Sequence, residues 1–203
     1  MKKLHQKETK GSRFLIEPAE ELDNIVGVAS ILTPYYGLTL KHARDTKWKG
    51  REAPIKRLAT GLCQGLQHMH ENGVAHRDIK ADNILLQNVE GDPMIIDFGL
   101  SNANELPTGT RKYLAPEQIK GKKGALKGAE WWVVAGWDQR LFDSWALGCV
   151  IKRCFEGHDT PKTAQDFIAK LLREDAEMRM SIKEALKHPW LQTKKTTEDD
   201  LFK

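Results

Sequence analysis

The sequence predicts an α+β fold in which a short β region precedes a mostly helical part. Residues 25–36 are rich in β-branched, apolar and aromatic side chains, which is typical of one or two strands and a turn. From residue 51 to 71 apolar side chains recur at helical spacing, before an Asn72-Gly73 pair that commonly ends a helix. Three later segments are also predicted to be helical, namely 141–155, 164–173 and 181–187.

A β-hairpin is predicted between the first long helix and the later ones. Two short apolar stretches, 84–86 and 94–96, flank the polar segment 88–92, which has the composition of a turn. Ser181 and Glu184 have the spacing of a capping box, in which the two residues satisfy each other's backbone N–H groups. This pair predicts where the last helix begins.

Composition limits the classes of protein that the chain can represent. With 203 residues, of which 40% are apolar and 30% charged, it suits one globular domain or two small lobes that share a cleft. Its three cysteines lack C-x-x-C spacing, so neither a disulfide framework nor a zinc site is indicated. No segment suits a membrane span or a signal peptide, so we expect a cytoplasmic protein, or one delivered to a host cytosol if it is an effector.

The net charge of +4 does not by itself indicate a nucleic-acid partner. No basic stripe interleaved with aromatic residues is present, as nucleic-acid binding surfaces usually require. We therefore expect no nucleic-acid and no membrane partner.

Three short motifs follow one another around the predicted hairpin. The first, His76-Arg77-Asp78-Ile79-Lys80-Ala81-Asp82-Asn83, lies between the long helix and the hairpin. Asp97-Phe98-Gly99 comes nineteen positions after Asp78, at the end of the second hairpin strand. Residues 109–117 then read Gly-Thr-Arg-Lys-Tyr-Leu-Ala-Pro-Glu. Each motif alone is weak evidence, but three in this order and structural context are hard to obtain by chance.

At these motifs the chain resembles the eukaryotic-type Ser/Thr protein kinases, over about residues 25–191. Lys80, two positions after Asp78, and the Gly-Thr-x-x-Tyr-x-Ala-Pro-Glu pattern are similar to the Ser/Thr-specific branch. The resemblance implies a protein-kinase-like fold with a mostly helical C-lobe and a truncated N-lobe sheet. It implies a residual N-lobe and hinge strand over 1–36, a C-lobe over 37–192 and a polar tail over 193–203.

The resemblance implies transfer of the γ-phosphoryl group of ATP to a protein hydroxyl, with Mg²⁺ as cofactor. Asp78 would orient the hydroxyl and accept its proton, and Lys80 would balance charge on the γ-phosphoryl group. Thr110 would tie the substrate-side loop to Asp78 and Lys80. Asn83 and Asp97 would hold Mg²⁺, because hard cations prefer oxygen ligands.

Residues 31–37 resemble the strand and hinge that receive adenine in this family. The backbone of Pro34 and Tyr36 would face the base, Thr33 would be the gatekeeper, and Leu85 would form the floor. An ordinary buried strand is the alternative interpretation of the same segment.

The first four residues resemble the end of the family's third strand. Lys2 would then bind phosphate and Glu17 would be its partner from helix C, with Glu20 and Glu21 as rivals for that role. A solvated terminal lysine is the alternative for Lys2.

Two further residues resemble structural parts of the kinase C-lobe. Asp143, in Phe-Asp-Ser-Trp-Ala-Leu-Gly, resembles the aspartate that anchors the backbone of the catalytic loop. Arg179 resembles the arginine that pairs with the glutamate of the Ala-Pro-Glu motif, which is Glu117 here.

The chain also departs from the family pattern. No G-x-G-x-x-G precedes the hinge, and Leu106 stands where the usual activating phosphosite would be, so we expect no conventional activation-loop switch. Segment 118–140 is longer than usual and contains several lysines and tryptophans, which is compatible with a docking surface for a protein partner. The alternative is a solvated basic loop followed by core tryptophans.

Three functions therefore stay open at this point. The first is an active Ser/Thr protein kinase that acts on a protein substrate. The second is a pseudokinase-like binding module, or an inactive kinase fragment that lacks the glycine-rich loop. The third, a nucleic-acid binder acting through the lysine-rich loop, has the least support.

Overall fold

A computed structural model describes most of the chain, in eight ranges. These are residues 12–16, 20–25, 28–32, 37–48, 50–86, 92–101, 109–119 and 138–192, with the backbone alone described for 20–25 and 28–32. Several predictions fall outside these ranges, namely those on Lys2, Glu17, Thr33, Pro34, Tyr36, Leu106, the centre of segment 118–140 and the tail 193–203.

The strands form two small antiparallel sheets. Strands β1 (Glu20–Ile25) and β2 (Val28–Leu32) pair with each other. Strands β3 (Leu38–Thr39), β4 (Ile84–Leu86) and β5 (Pro93–Ile95) form a three-stranded sheet in that order. The predicted hairpin is thus confirmed, with β5 beginning and ending one residue earlier than expected.

Six helices account for most of the helical residues in the described part of the chain. They are α1 (Leu40–Ala43), α2 (Glu52–Glu71), α3 (Arg140–Cys154), α4 (Lys162–Leu171), α5 (Ile182–Ala185) and α6 (Pro189–Gln192). A π-helical turn, Arg44–Trp48, follows α1, and short 3₁₀ turns lie at Ala81–Asn83 and Arg111–Tyr113. The helices predicted from periodicity are confirmed, although α5 is shorter than the predicted 181–187. None of the described helices combines the length and the apolar character that a membrane span requires.

Helix α2 is the centre of the core. Its apolar residues recur at three- and four-residue intervals, so they share one face, and this face is buried against α3, α5, α6 and β5. Gly61 on this helix permits a close approach to the sheet, because a Cβ there would lie 2.6 Å from Pro93. The helix ends as predicted at Asn72, which is followed by Gly73 with φ of 75°.

Residues 12–16 extend the core on the outer side of β5. Ile95 donates its N–H to the Phe14 carbonyl at 2.8 Å, and the Ile16 N–H donates to the Ile95 carbonyl at 3.1 Å. Phe14, Leu15 and Ile16 are all buried, and the last two belong to the same core as α2. This segment is therefore packed onto the helical part of the chain.

Helices α4 to α6 close the other end of the core. Trp190 on α6 is fully buried against Phe155 and Phe167, and its indole N–H donates to Glu52 Oε1 at 2.9 Å. The predicted capping box of Ser181 and Glu184 is confirmed at the start of α5. These contacts tie the last described helix to the first turn of α2.

Candidate active site

The loop between α2 and β4 is held in place by one buried carboxylate on α3. Asp143 is fully buried, and it accepts the N–H of His76 at 2.8 Å and that of Arg77 at 2.7 Å. The prediction that Asp143 anchors the backbone of this loop is thus confirmed. A carboxylate suits this position because it can accept several hydrogen bonds, and each bond to a charged group is stronger than a neutral one.

His70 is a third partner of Asp143, and the sequence did not predict it. Its Nε2 lies 2.8 Å from Asp143 Oδ2, so the last turn of α2 is connected directly to α3. His70 and Asp143 are 73 positions apart. No local pattern indicates such a pair, since a histidine near the end of a helix is equally compatible with a solvated side chain.

Backbone strain is concentrated around the same loop. Within the described ranges, Arg77 with φ of 71° and Asp97 with φ of 65° are the non-glycine residues in the left-handed region. One precedes Asp78 directly and the other begins the Asp-Phe-Gly motif. Such conformations cost about 1–3 kcal/mol each and persist where the surrounding structure enforces them, often at functional sites.

His76 connects the loop to the segment after β5 in a defined tautomer. Its Nδ1 accepts the N–H of Asp78 at 3.2 Å, and its Nε2 lies 3.1 Å from the carbonyl of Ile96, so the ring proton is on Nε2. Burial lowers the pKa of His76, although nearby Asp143, Asp78 and Asp97 act in the opposite direction. The neutral ring packs against Phe98 in a tilted arrangement, with 5.4 Å between ring centres.

The carboxylate of Asp78 is the centre of the polar network. Its Oδ2 accepts from Lys80 Nζ at 2.5 Å and from Asn83 Nδ2 at 3.1 Å. Its Oδ1 accepts from Thr110, through the backbone N–H at 3.1 Å and the hydroxyl at 3.2 Å. A carboxylate offers about four lone-pair positions, and these four donors use all of them.

Gly109 allows Thr110 to reach Asp78. It has φ of 133°, a conformation that side chains rarely adopt, and a Cβ there would lie 3.2 Å from the carbonyl oxygen of Arg77. Thr110 and Lys80 bind different oxygens of Asp78 and so meet through this shared carboxylate. The structure thereby brings together Asp78, Lys80, Asn83 and Thr110, which the sequence analysis had grouped.

A buried ion pair supports the segment that follows Thr110. Arg179 Nη1 and Nη2 donate to the two carboxylate oxygens of Glu117, at 2.5 and 2.9 Å. The Arg179 side chain is fully buried, and it also donates to carbonyl groups of the chain at Leu141, Arg173 and Glu174. The predicted pairing of Glu117 with Arg179 is confirmed.

The family model of the protein kinase domain matches residues 28–160. That span is more than half of the chain and contains the Asp78 network. The chain belongs to the eukaryotic-type Ser/Thr protein kinase family. The protein-kinase-like α+β fold predicted from the sequence is correspondingly confirmed.

Several curated kinases resemble this chain. The Ser/Thr-protein kinase cds1 of Schizosaccharomyces pombe is 33% identical over 182 residues, covering 72% of this chain and 38% of cds1. Calcium/calmodulin-dependent protein kinase type 1 of Caenorhabditis briggsae is 32% identical over 163 residues, which cover 69% of this chain and 45% of that kinase. The Aurora kinase of S. pombe is 29% identical over 185 residues, which cover 76% of this chain and 48% of the Aurora kinase. The chain thus spans less than half the length of each of these relatives.

The kinase family generally uses Mg²⁺, and the chemistry of Asn83 and Asp97 fits such an ion. Asn83 uses its Nδ2 on the side chain and carbonyl of Asp78, so the atom that a hard cation would bind is the remaining amide oxygen. Asp97 is exposed and contributes a carboxylate. Within the described ranges no cluster of three or more His, Cys, Asp or Glu residues could hold a metal.

Of the residues predicted to bind the nucleotide of this kinase, the structure describes Leu85. It is half-buried on β4, opposite Met94 on β5 and Thr39 on β3. Strand β3 follows the predicted hinge segment directly in sequence, so Leu85 lies beside the residues that come after this segment. Lys2, Glu17, Thr33, Pro34 and Tyr36 lie outside the described residues.

Proposed function

We propose that this chain is an active Ser/Thr protein kinase, which transfers the γ-phosphoryl group of ATP to a hydroxyl of a protein substrate. The observation that carries the proposal is the Asp78 carboxylate, which is oriented by Lys80, Asn83 and Thr110 at 2.5–3.2 Å. Phosphoryl transfer depends on positioning and charge neutralisation rather than on covalent catalysis by the protein. An oriented carboxylate beside a lysine ammonium group supplies both.

The proposed role of Asp78 is to orient the substrate hydroxyl and to accept its proton. A bond forms between the hydroxyl oxygen and the γ-phosphorus, the bond from that phosphorus to ADP breaks, and the hydroxyl proton passes to Asp78. Because four donors already occupy the carboxylate, one of them must leave before the hydroxyl can bind.

Lys80 is the donor best able to leave Asp78. Its ammonium group sits on a flexible chain and its side chain is 20% exposed, whereas Asn83 and Thr110 are each held by a second bond to Asp78. On this basis Lys80 moves from Asp78 to the γ-phosphoryl group when ATP binds, and Thr110 keeps the substrate-side loop in place.

Asn83 and Asp97 are proposed as the protein ligands of Mg²⁺, through one amide oxygen and one carboxylate. The ion, when bound, neutralises charge on the phosphates. Leu85 is proposed as the floor under the adenine, with the backbone of Pro34 and Tyr36 at its edge and Thr33 as gatekeeper. Lys2, with Glu17 as its partner, is proposed to bind phosphate.

Segment 118–140 is proposed as a docking surface for a protein partner. Of this segment the structure describes residues 118, 119 and 138–140, and Ile119 is 40% exposed, which is unusual for a large apolar side chain. Deleting residues 121–136 would be expected to abolish binding to such a partner without changing the Asp78 network.

A second candidate function is a pseudokinase-like binding module, or an inactive kinase fragment. The sequence contains no G-x-G-x-x-G before the hinge, and this loop normally encloses the phosphates with backbone N–H groups. A module of this kind would bind a partner through the C-lobe and would hold nucleotide weakly or not at all.

Thermal unfolding with ATP and Mg²⁺ separates these two candidates. A ligand that binds only the folded state raises the melting temperature, so the wild type should shift, and Asp97→Ala should lose the part of the shift that requires Mg²⁺. Asp159→Ala, which removes an exposed aspartate from the loop before α4, is the matched control and should behave as the wild type.

Phosphate transfer to a generic Ser/Thr substrate is the second measurement. The wild type should be active, and Asp78→Ala should lose about 10³-fold or more in rate while it keeps the nucleotide-dependent shift. Absence of both the shift and the transfer in the wild type would contradict the kinase proposal and support the binding module.

A further inference from the structure

Two cations lie beside the Asp78 network and take no part in it. Arg111 and Lys112 directly follow Thr110, the residue that binds Asp78 through both its backbone and its hydroxyl. Successive Cα atoms are about 3.8 Å apart, so the two side chains begin within one turn of the network. Both residues are exposed on the 3₁₀ turn Arg111–Tyr113.

The turn that carries these cations is packed against the core. Tyr113, its last residue, is buried under the guanidinium group of Arg153, which lies 5.3 Å from the ring centre. The Tyr113 N–H donates to the Thr110 carbonyl at 2.8 Å. The positions from which Arg111 and Lys112 extend are therefore fixed relative to the Asp78 carboxylate.

Neither cation is neutralised by an acidic side chain of the described residues. Across the part of the chain that the structure describes, the ion pairs formed by acidic side chains do not include Arg111 or Lys112. By contrast, Asp82, an acidic residue of the catalytic loop, is 3.7 Å from Lys41 of α1. Among the described residues, the two charges that directly follow Thr110 are thus positive and form no ion pair, while Asp82 lies close to a cation.

We infer that this kinase selects substrates whose target serine or threonine is flanked by acidic residues, and that Arg111 and Lys112 determine this specificity. The inference rests on the proposed kinase function, because it names the substrate class of the same site. An acidic side chain of the substrate would meet two cations at fixed positions. Its binding would not have to break an ion pair between either cation and a described acidic residue. A basic side chain would meet repulsion there and would compete with Lys41 for Asp82.

The test uses three peptides with the same target serine, flanked by glutamate, glutamine or lysine. For each peptide kcat/KM is measured with the full chain, with Arg111→Glu/Lys112→Glu and with Lys162→Glu/Lys183→Glu. The last variant is the matched control, because it reverses two exposed lysines on α4 and α5 and changes the net charge equally. Circular dichroism and melting temperature establish that each variant is folded.

The wild type should prefer the glutamate peptide over the glutamine peptide by about threefold to tenfold, as expected for exposed charge pairs. Arg111→Glu/Lys112→Glu should reverse the order of the three peptides, and the control should keep the wild-type order. Equal rates on all three peptides would overturn the inference. So would an equal loss of preference in the control, because net charge alone would then explain the selection.

A binding measurement separates this inference from the proposed function. Fluorescence anisotropy of the same peptides without nucleotide should show tighter binding of the glutamate peptide, weakened by salt and lost in Arg111→Glu/Lys112→Glu. Absence of phosphate transfer to every peptide would contradict the kinase proposal, and the anisotropy would still decide the acidic preference. Transfer together with equal affinities and equal rates would leave the kinase proposal intact and refute the specificity.

Discussion

Single side chains in this protein connect distant parts of the chain through a few charged hydrogen bonds. Asp143 joins α3 to the end of α2 and to the loop between α2 and β4, and Asp78 joins that loop to the turn after Gly109. Both carboxylates are buried, so each requires its donors to offset the cost of desolvation. Removal of either charge is therefore expected to affect several elements at once.

Asp143→Asn is predicted to destabilise the fold by about 2–4 kcal/mol. The carboxylate accepts hydrogen bonds from three donors, and an amide in its place would point its own N–H group at one of them, so that this donor would be left buried without an acceptor. Urea denaturation measures the free energy of unfolding. Asp159→Asn, at an exposed site, should leave that energy within about 0.5 kcal/mol of the wild type. An Asp143→Asn protein as stable as the wild type would show that the three hydrogen bonds contribute little.

His76 is predicted to make stability fall in mild acid. Burial lowers its pKa below the usual 6.5, so as the pH drops below 6.5 the unfolded chain takes up a proton before the folded one does. The contribution of this residue to stability is complete above pH 6.5 and is lost as the pH falls towards its folded-state pKa. Protonation would also remove the Nδ1 acceptor of the Asp78 N–H.

The free energy of unfolding, measured by urea denaturation from pH 7.5 to 5.5, tests this linkage. His76→Phe should be less stable than the wild type at pH 7.5 and should lose stability less steeply as the pH falls. His158→Gln replaces an exposed histidine and should keep the wild-type slope. A His76→Phe slope equal to that of the wild type would mean that other groups cause the pH dependence.

At the scale of elements, the segment after the catalytic loop depends on contacts from the far end of the chain. The Glu117–Arg179 pair connects the residues after Thr110 to the loop between α4 and α5, 62 positions later. Arg179 also lies over the ring of Trp145 on α3, with 5.1 Å to the ring centre. Three separate elements therefore share one buried cation.

Arg179→Ala is predicted to cost about 3–5 kcal/mol, because it leaves Glu117 buried and unpaired. A double-mutant cycle with Glu117→Gln, followed by urea denaturation, measures the coupling. The double variant should be less destabilised than the sum of the single variants, because no charge then remains uncompensated. Additive effects would show that the two side chains act independently.

At the scale of the whole molecule, the core protects all three cysteines. Cys63 and Cys154 are buried and Cys149 is partly buried on α3. Burial raises the pKa of Cys149 to about 11 and that of Cys154 to about 12, and it raises the pKa of Cys63 as well. The reactive thiolate forms are therefore suppressed near neutral pH.

A thiol reagent such as DTNB is predicted to label the native protein slowly at pH 7.5 and to label three thiols rapidly in denaturant. Absorbance of the released chromophore gives the number and the rate. Cys149→Ser should retain slow labelling of the remaining two thiols. Rapid labelling of a native thiol would contradict the burial of that residue.

The main helices, the β4–β5 hairpin, the family and the grouping of polar residues around Asp78 could be predicted from the sequence alone. Helical periodicity located α2 and α3. A polar turn between two short apolar stretches located the β4–β5 hairpin. The three motifs grouped Asp78, Lys80, Asn83 and Thr110. These predictions succeeded because they depend on local spacing, which backbone geometry converts directly into position. The roles assigned to these residues stay predictions until activity is measured.

Which distant side chains meet depends on tertiary packing. The pairing of His70 with Asp143, the packing of residues 12–16 on β5, and the absence of an acidic partner for Arg111 and Lys112 among the described residues have no local signature. Each depends on how helices and strands pack across the core, where burial and charge act between residues that sequence spacing does not relate. A sequence shows which side chains are available, and packing decides which of them are neighbours.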